Sequence, residues 1–288
     1  MYIDATPTIP HNHGMPARGG SMNAPSDDDA RHESSGANAL PFVAPCRRLP
    51  AGAALGWLRL GWRDLQAAPR QSLTYGAVMV LMSALISALT WWWGNLGLYL
   101  GLISGFVFVG PWLALTLYSI SIQVERGEAV SLRRSLGDAR RQLGNTMVFA
   151  VILTVVFLVW ARAATVIHVF FPDTGTPQLR DLLWFLGIGS AVGALFSAIV
   201  FAVSAFSLPM LMDRRVDAVT AVVTSVNAVL RNKPAMAVWA AVIVGCVLLG
   251  VLTAYLAFLV LLPLLGHATW HAYRQTIDAS RWPPVERT

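Results

Sequence analysis

Leu73-Thr-Tyr-Gly-Ala-Val-Met-Val-Leu-Met-Ser-Ala-Leu-Ile-Ser-Ala-Leu-Thr-Trp-Trp-Trp93 is a long run without a single charged side chain. A helix that crosses a bilayer needs roughly 20 predominantly apolar residues, and tryptophans collect where hydrocarbon meets headgroups. The run therefore reads as a transmembrane helix anchored by Trp91, Trp92 and Trp93. Gly94-Asn95 allows a tight turn into a second apolar run, Leu96 to Ile122, interrupted by Pro111 and small polar residues. Two more runs follow, Thr146 to Phe170 and Leu182 to Met212, joined by a short loop from Phe171 to Asp181.

The composition fits this reading. Of 288 residues, 56% are hydrophobic and 12% charged, against about 25% charged in an average soluble domain, which excludes an ordinary globular enzyme. Twenty-one basic residues against fifteen acidic ones give a net charge of +6, and every base except Lys233 is arginine. The last apolar stretch, Pro234 to Tyr273, is too long for one straight span and just enough for two, about 235–253 and 255–273, turning near Gly250 to Tyr255. With six spans, nineteen of the twenty-one bases share one side; Arg180 lies opposite and Arg162 lies within a span. With five, Arg274, Arg281 and Arg287 would cross to the poor side. The positive-inside rule favours six spans with both termini cytoplasmic, so the basic surplus sets orientation and does not indicate nucleic acid.

Residues 1–50 carry Pro7, Pro10, Gly14, Pro16, Gly19, Gly20, Pro25 and the triplet Asp27-Asp28-Asp29. Such a composition buries too little apolar surface to offset ordering entropy and reads as a disordered cytoplasmic leader. It has no apolar core of the signal-peptide kind. Residues 51–280 form the membrane domain and 281–288 a cytoplasmic tail. Cys46 and Cys246 make neither a disulfide framework nor a zinc spacing.

Three polar stretches read as amphipathic helices lying on the membrane surface. Their apolar stripes are Leu55, Leu58, Trp62 and Leu65; then Val130, Leu132, Leu136, Ala139 and Leu143; then Val216, Val219, Val223, Val226 and Leu230. Each ends in a breaker before a span: Leu65-Gln-Ala-Ala-Pro69, Arg141-Gln-Leu-Gly-Asn145 and Leu230-Arg-Asn-Lys-Pro234. Each returning span holds a proline, Pro111, Pro209 or Pro263, read as a helix kink. The fold expected is all-α: a polytopic bundle of six transmembrane helices in three hairpins, each introduced by an interfacial helix.

Laid out in this way, the chain resembles a bacterial family of predicted integral membrane proteins, the domain of unknown function 2189. The resemblance is carried by Phe42-Val-Ala-Pro-Cys-Arg-Arg-Leu49, Gly61-Trp-Arg-Asp-Leu65, the Gly105 to Ser121 run through Gly110-Pro111, and Ala205-Phe-Ser-Leu-Pro-Met210. Asn227-Ala-Val-Leu-Arg-Asn-Lys-Pro-Ala-Met236 and Pro263-Leu-Leu-Gly-His-Ala-Thr-Trp-His-Ala-Tyr-Arg274 complete it, over about residues 41–280. It implies a multi-pass inner-membrane protein without an established biochemical role. Some members carry the label of cytochrome c oxidase components, but this chain lacks the dozen spans and dispersed histidines of the main oxidase subunit.

Few residues suggest chemistry. His267 and His271 lie four apart on one face of the last span, a spacing that could ligate a metal or haem. A site needs further ligands, so the plainer reading is hydrogen bonding to neighbouring helices near the interface. Arg162 is the only charge deep in an apolar run, a candidate substrate or partner contact, or a residue that snorkels to the outer interface beside Trp160. Gly97, Gly101 and Gly105, and Gly189 and Gly193, recur at the four-residue spacing that lets helix backbones approach closely. No catalytic set, phosphate-binding loop or metal cluster emerges, so no enzyme activity and no cofactor are expected. The function expected is a structural or interaction protein whose basic cytoplasmic helices meet anionic lipid, with a membrane-protein partner or a second copy against its spans. A small-solute transporter or channel is the alternative, and a haem or copper protein a further one.

Overall fold

The computed structural model describes residues 41–94, 96–170 and 179–286. Residues 1–40, Asn95, most of the loop after Phe170 and the last two residues lie outside them. Among the described residues the chain is helical: α1 (Ala53–Ala67), α2 (Pro69–Trp93), α3 (Leu96–Glu125), α4 (Leu132–Arg141), α5 (Leu143–Phe170), α6 (Leu179–Ser204), α7 (Ser207–Asp213), α8 (Ala218–Arg231), α9 (Lys233–Leu252) and α10 (Phe258–Thr276).

Three times a short helix breaks and a long apolar one begins. The breaks fall at Ala68, Gln142 and Asn232, whose backbones leave the helical region. Pro69 and Pro234 then occupy the first turn of α2 and α9, where a missing N–H costs nothing. Pro209 does more than kink its helix. The apolar stretch Leu179–Asp213 stops at Ser204 and restarts at Ser207, because Pro209 has no N–H to give the carbonyl four residues back. Ser225 bridges the gap, accepting from the Phe206 N–H at 3.0 Å and donating to the Ala202 carbonyl at 2.7 Å. Pro111 and Pro263 instead lie inside the continuous helices α3 and α10. Between α9 and α10 the chain reverses through Ala254 and Tyr255, both at positive φ (49° and 71°), while the Tyr255 hydroxyl meets Ser87 Oγ on α2 at 2.7 Å.

Four stretches among the described residues are long and apolar enough to cross a membrane: α2, Leu143–Ile167 of α5, Leu179–Asp213 and α9. α10 starts three residues later than the expected sixth span, and its second half, with His267, His271 and Arg274, is largely packed inside the protein.

The three short helices bury only part of the stripes expected of them: Leu65, Ala139 and Val216 are buried, and Leu58, Val130, Leu132 and Val226 are half-buried against the core. α1 buries Ala54, Trp57, Gly61, Asp64 and Leu65, leaving Leu55 and Trp62 exposed. α4 buries Ser135, Asp138 and Ala139, leaving Leu136 exposed. α8 buries Ala218, Thr220, Ala221, Thr224, Ser225 and Ala228, leaving Val219 and Leu230 exposed. On α4 and α8 small and polar residues face the protein, while α1 also buries the large Trp57 and Leu65. Close backbone approach and hydrogen bonds at the small and polar positions hold these helices alongside apolar burial.

The core sits at the end of the bundle where these short helices gather. It contains Trp57, Tyr118, Phe149, Phe206, Met210, Trp239, Trp270 and Trp282, with Trp57 and Trp239 edge to face at 5.6 Å. Two straps close it. Residues 41–50, expected as the end of the leader, run between α8 and the end of α10: the Ala44 N–H donates to Thr224, Leu49 N–H to Asn232, and Arg47 N–H to the Thr276 carbonyl. Residues 281–286, part of the stretch expected as a cytoplasmic tail, pair with the end of α7 and the α7–α8 loop through Arg215 N–H to the Pro283 carbonyl and Val285 N–H to the Asp213 carbonyl. Trp282 among them is buried.

Asp217 caps α8, its carboxylate accepting from the Thr220 N–H at 2.9 Å. Partial burial opposes ionisation, but the hydrogen bonds from Thr220 outweigh it and hold the carboxyl below its usual range. The sign follows: a carboxyl depressed in the folded state stabilises above its unfolded pKa of about 3.9 and loses that contribution as the pH falls further. Asp217→Ala is expected to cost about 1 kcal/mol at neutral pH and progressively less in acid, read from chemical unfolding at several pH values.

Candidate functional site

Polar side chains converge on one face of α10. His267, with no solvent exposure, lies between α2 and α3: Nε2 is 2.9 Å from Ser72 Oγ, and Nδ1 is 2.8 Å from Ser121 Oγ. An imidazole bearing one N–H donates to one hydroxyl and accepts from the other, so both ring nitrogens are committed. One turn on, His271 Nε2 lies 2.9 Å from Asp64 Oδ2, which α1 buries. Trp57 of α1 donates its indole N–H to Gln275 at 2.9 Å. The seam continues outward. Trp270 Nε1 and Arg274 both donate to Glu125 at the end of α3 (3.0 and 3.2 Å). Tyr273 donates to Asp213 at the end of α7 (2.9 Å), which also takes Arg214 Nε at 3.0 Å. The Arg274 guanidinium lies 5.9 Å from the Trp270 ring centre.

This seam joins α1, α2, α3, α7 and α10 through partners that are far apart in sequence. Two glycines make the approach close enough. A Cβ at Gly61 would come 2.7 Å from the Ala268 backbone nitrogen, and one at Gly76 would penetrate the Leu259 carbonyl. Close approaches were expected instead at the spaced glycines of α3 and α6. A Cβ at Gly105, Gly189 or Gly193 meets nothing within 4 Å, so these three mediate no packing among the described residues. Gly97 and Gly101 lie outside the residues whose surroundings are described.

His267 and His271 are thus brought together with serine and aspartate partners. No group of three or more His, Cys, Asp and Glu side chains able to hold a metal occurs among the described residues. Arg162 lies apart, exposed on α5. Asp64, Ser72, Ser121, Glu125 and Asp213 were not singled out from the sequence; the one signal was that Asp64 shares a helical face with Trp57 and Gly61. Burial pushes the Cys46 thiol above its ordinary value, against the opposing hydrogen bond from Asn227, which disfavours the reactive thiolate.

Around the seam lies a basic surface with two shallow clefts. One, of about 470 Å³, runs along α4 between Arg133, Arg134 and Arg141. The other, of about 440 Å³, lies between Arg141, Asn145, Arg215 and Asp217. Both can receive an anion, the first with less acidic competition.

No curated protein and no solved structure matches the chain. The resemblance read over residues 41–280 is met by a family model across its centre. Residues 98–213, which contain Ser121, Glu125, Arg134, Arg141 and Asp213, match the domain of unknown function 2189 family, described as predicted integral membrane proteins.

Proposed function

We propose that the protein is a non-catalytic structural or interaction protein of the inner membrane, with six spans in three hairpins and both termini on the basic, cytoplasmic side. Its packed end, made of the short helices and the straps, forms a basic platform that meets anionic headgroups. Its spans offer their outer faces to lipid, to a membrane-protein partner or to a second copy.

One observation carries this reading: packing is concentrated at the basic end. Only 11% of the most apolar stretch of α2 and of α5 is buried, and 22% for Leu179–Asp213 and for α9. A transporter requires a protein-lined polar path through its spans, whereas the polar seam sits with the platform. Arg162, which motivated the transporter alternative, faces outward on α5.

The test is reconstitution of the full-length protein into zwitterionic vesicles with and without phosphatidylglycerol. A ligand that binds only the folded state raises its stability by mass action. The expected result is a higher unfolding temperature in the anionic vesicles, shrinking with added salt. Equal stability in both, or solute flux abolished by Arg162→Ala, would turn the assignment toward transport.

A further inference from the structure

We infer that the cleft along α4 is a specific site for the phosphate of an anionic phospholipid headgroup. The inference rests on the platform reading and deepens it, from a diffuse basic surface to one binding site. Its lining includes Ser131, Arg133, Arg134, Gly137, Asp138 and Arg141. Arg134 and Arg141 are seven residues apart, two turns of helix, with Gly137 between them on the same side. Gly137 lines the cleft between them without a side chain, and a Cβ there would stand in open space.

The acids of this region are largely turned to other work. Asp138 accepts from Ser119 Oγ at 2.7 Å inside the core, and Glu128 is shared between Arg126 and Arg134. Arg134 retains unused capacity: its Nε is buried and finds no acceptor among the described residues. A guanidinium presents five donors in a planar fork that fits phosphate oxygens, so a phosphate is the anion this geometry suits. The start of α4 adds partial positive charge at the same end, where Ser131 supplies no side-chain cap.

The neighbourhood of the cleft identifies the phosphate as a lipid's. Arg141 stands two residues before α5, whose Leu143–Ile167 stretch is apolar enough to cross the membrane. Leu143 and Met147, which follow Arg141, are exposed at 37% each, and Leu136 on the other side of α4 at 36%. A free phosphate or a nucleic acid has no use for leucines there. A phospholipid does: its headgroup occupies the cleft while its acyl chains lie along the foot of α5.

The experiment uses the full-length protein in detergent micelles, titrated with phosphatidylglycerol, with phosphatidylcholine and with inorganic phosphate, and bound lipid is counted by native mass spectrometry. The variants are Arg133→Gln/Arg134→Gln/Arg141→Gln and, as a control of equal charge on the same platform, Arg59→Gln/Arg63→Gln/Arg70→Gln. At about tenfold per charge-assisted hydrogen bond to the phosphate, the cleft variant is expected to bind phosphatidylglycerol roughly 100-fold more weakly, and the control, whose arginines do not line the cleft, to change little. Gly137→Trp places an indole in the cleft without altering charge. It is expected to weaken binding at least tenfold while the unfolding temperature stays put, which separates site loss from misfolding. Equal weakening in both triple variants overturns the cleft and leaves the platform reading standing. No weakening in either overturns both. Inorganic phosphate binding as tightly as phosphatidylglycerol overturns the lipid as its ligand.

Discussion

Gly76→Ala is expected to destabilise the protein by about 2 kcal/mol, although alanine is the better helix former. Two effects oppose each other. In an open helical position the exchange gains about 1 kcal/mol of helix propensity. At Gly76 the added methyl would meet the carbonyl and Cα of Leu259 on α10, and overpacking of this kind costs about 1–3 kcal/mol, sometimes more. Backbone atoms cannot rotate away as the end of a side chain can, so the clash wins, and α2 must separate from α10 to relieve it. Gly189→Ala supplies the internal contrast, since nothing lies within 4 Å of its Cβ. There the same exchange is expected to be neutral or stabilising by up to about 1 kcal/mol. Unfolding of both variants in detergent, followed by helical circular dichroism, decides the matter. A Gly76→Ala variant as stable as, or more stable than, the parent would mean that α2 and α10 are not in backbone contact.

His267→Ala carries the second large effect, a loss of about 3 kcal/mol. The substitution opens a void where no solvent reaches and strips the partner from Ser72 Oγ and Ser121 Oγ, both buried. A buried hydroxyl without a partner costs about 1–3 kcal/mol. Hydrogen bonds between membrane helices measure nearer about 0.6 kcal/mol on average, so the void and the stranded hydroxyls contribute more than the bonds themselves. Glutamine offers both a donor and an acceptor, and His267→Gln is expected to retain most of the stability. The comparison of the two variants by chemical unfolding is the measurement. If alanine and glutamine behave alike, the serine–histidine–serine bridge does not hold α2, α3 and α10 together.

The parts of this molecule that could be read from sequence are those set by local chemistry. The long uncharged runs, the breaks near Pro69, Gln142 and Pro234, and the reversal after Gly250 are all dictated by residues adjacent in the chain. The orientation of the short helices could not be read in the same way. Periodicity groups Leu55 with Trp62 and Val219 with Leu230, and an aqueous solvent would drive those groups inward. The inward face is instead set by what lies opposite in the folded chain. For Gly61 and Asp64 this is Ala268 and His271; for Ser225 it is the gap that Pro209 opens. The seam was half legible for the same reason. The four-residue spacing of His267 and His271 placed them on one face, but their partners come from α1, α2 and α3, and no spacing encodes a partner 146 to 207 residues away.

Those separations also impose an order of assembly. Asp64 leaves the ribosome 207 residues ahead of His271, which at about 5–20 residues per second is a delay of about 10–40 s. During that interval α1 has made its acidic, glycine-notched face and has nothing to set against it. The first helix therefore waits for the last. The spans between them must be threaded before the packed end can close, and a chain halted anywhere short of α10 would present an open platform to the quality-control proteases of the membrane.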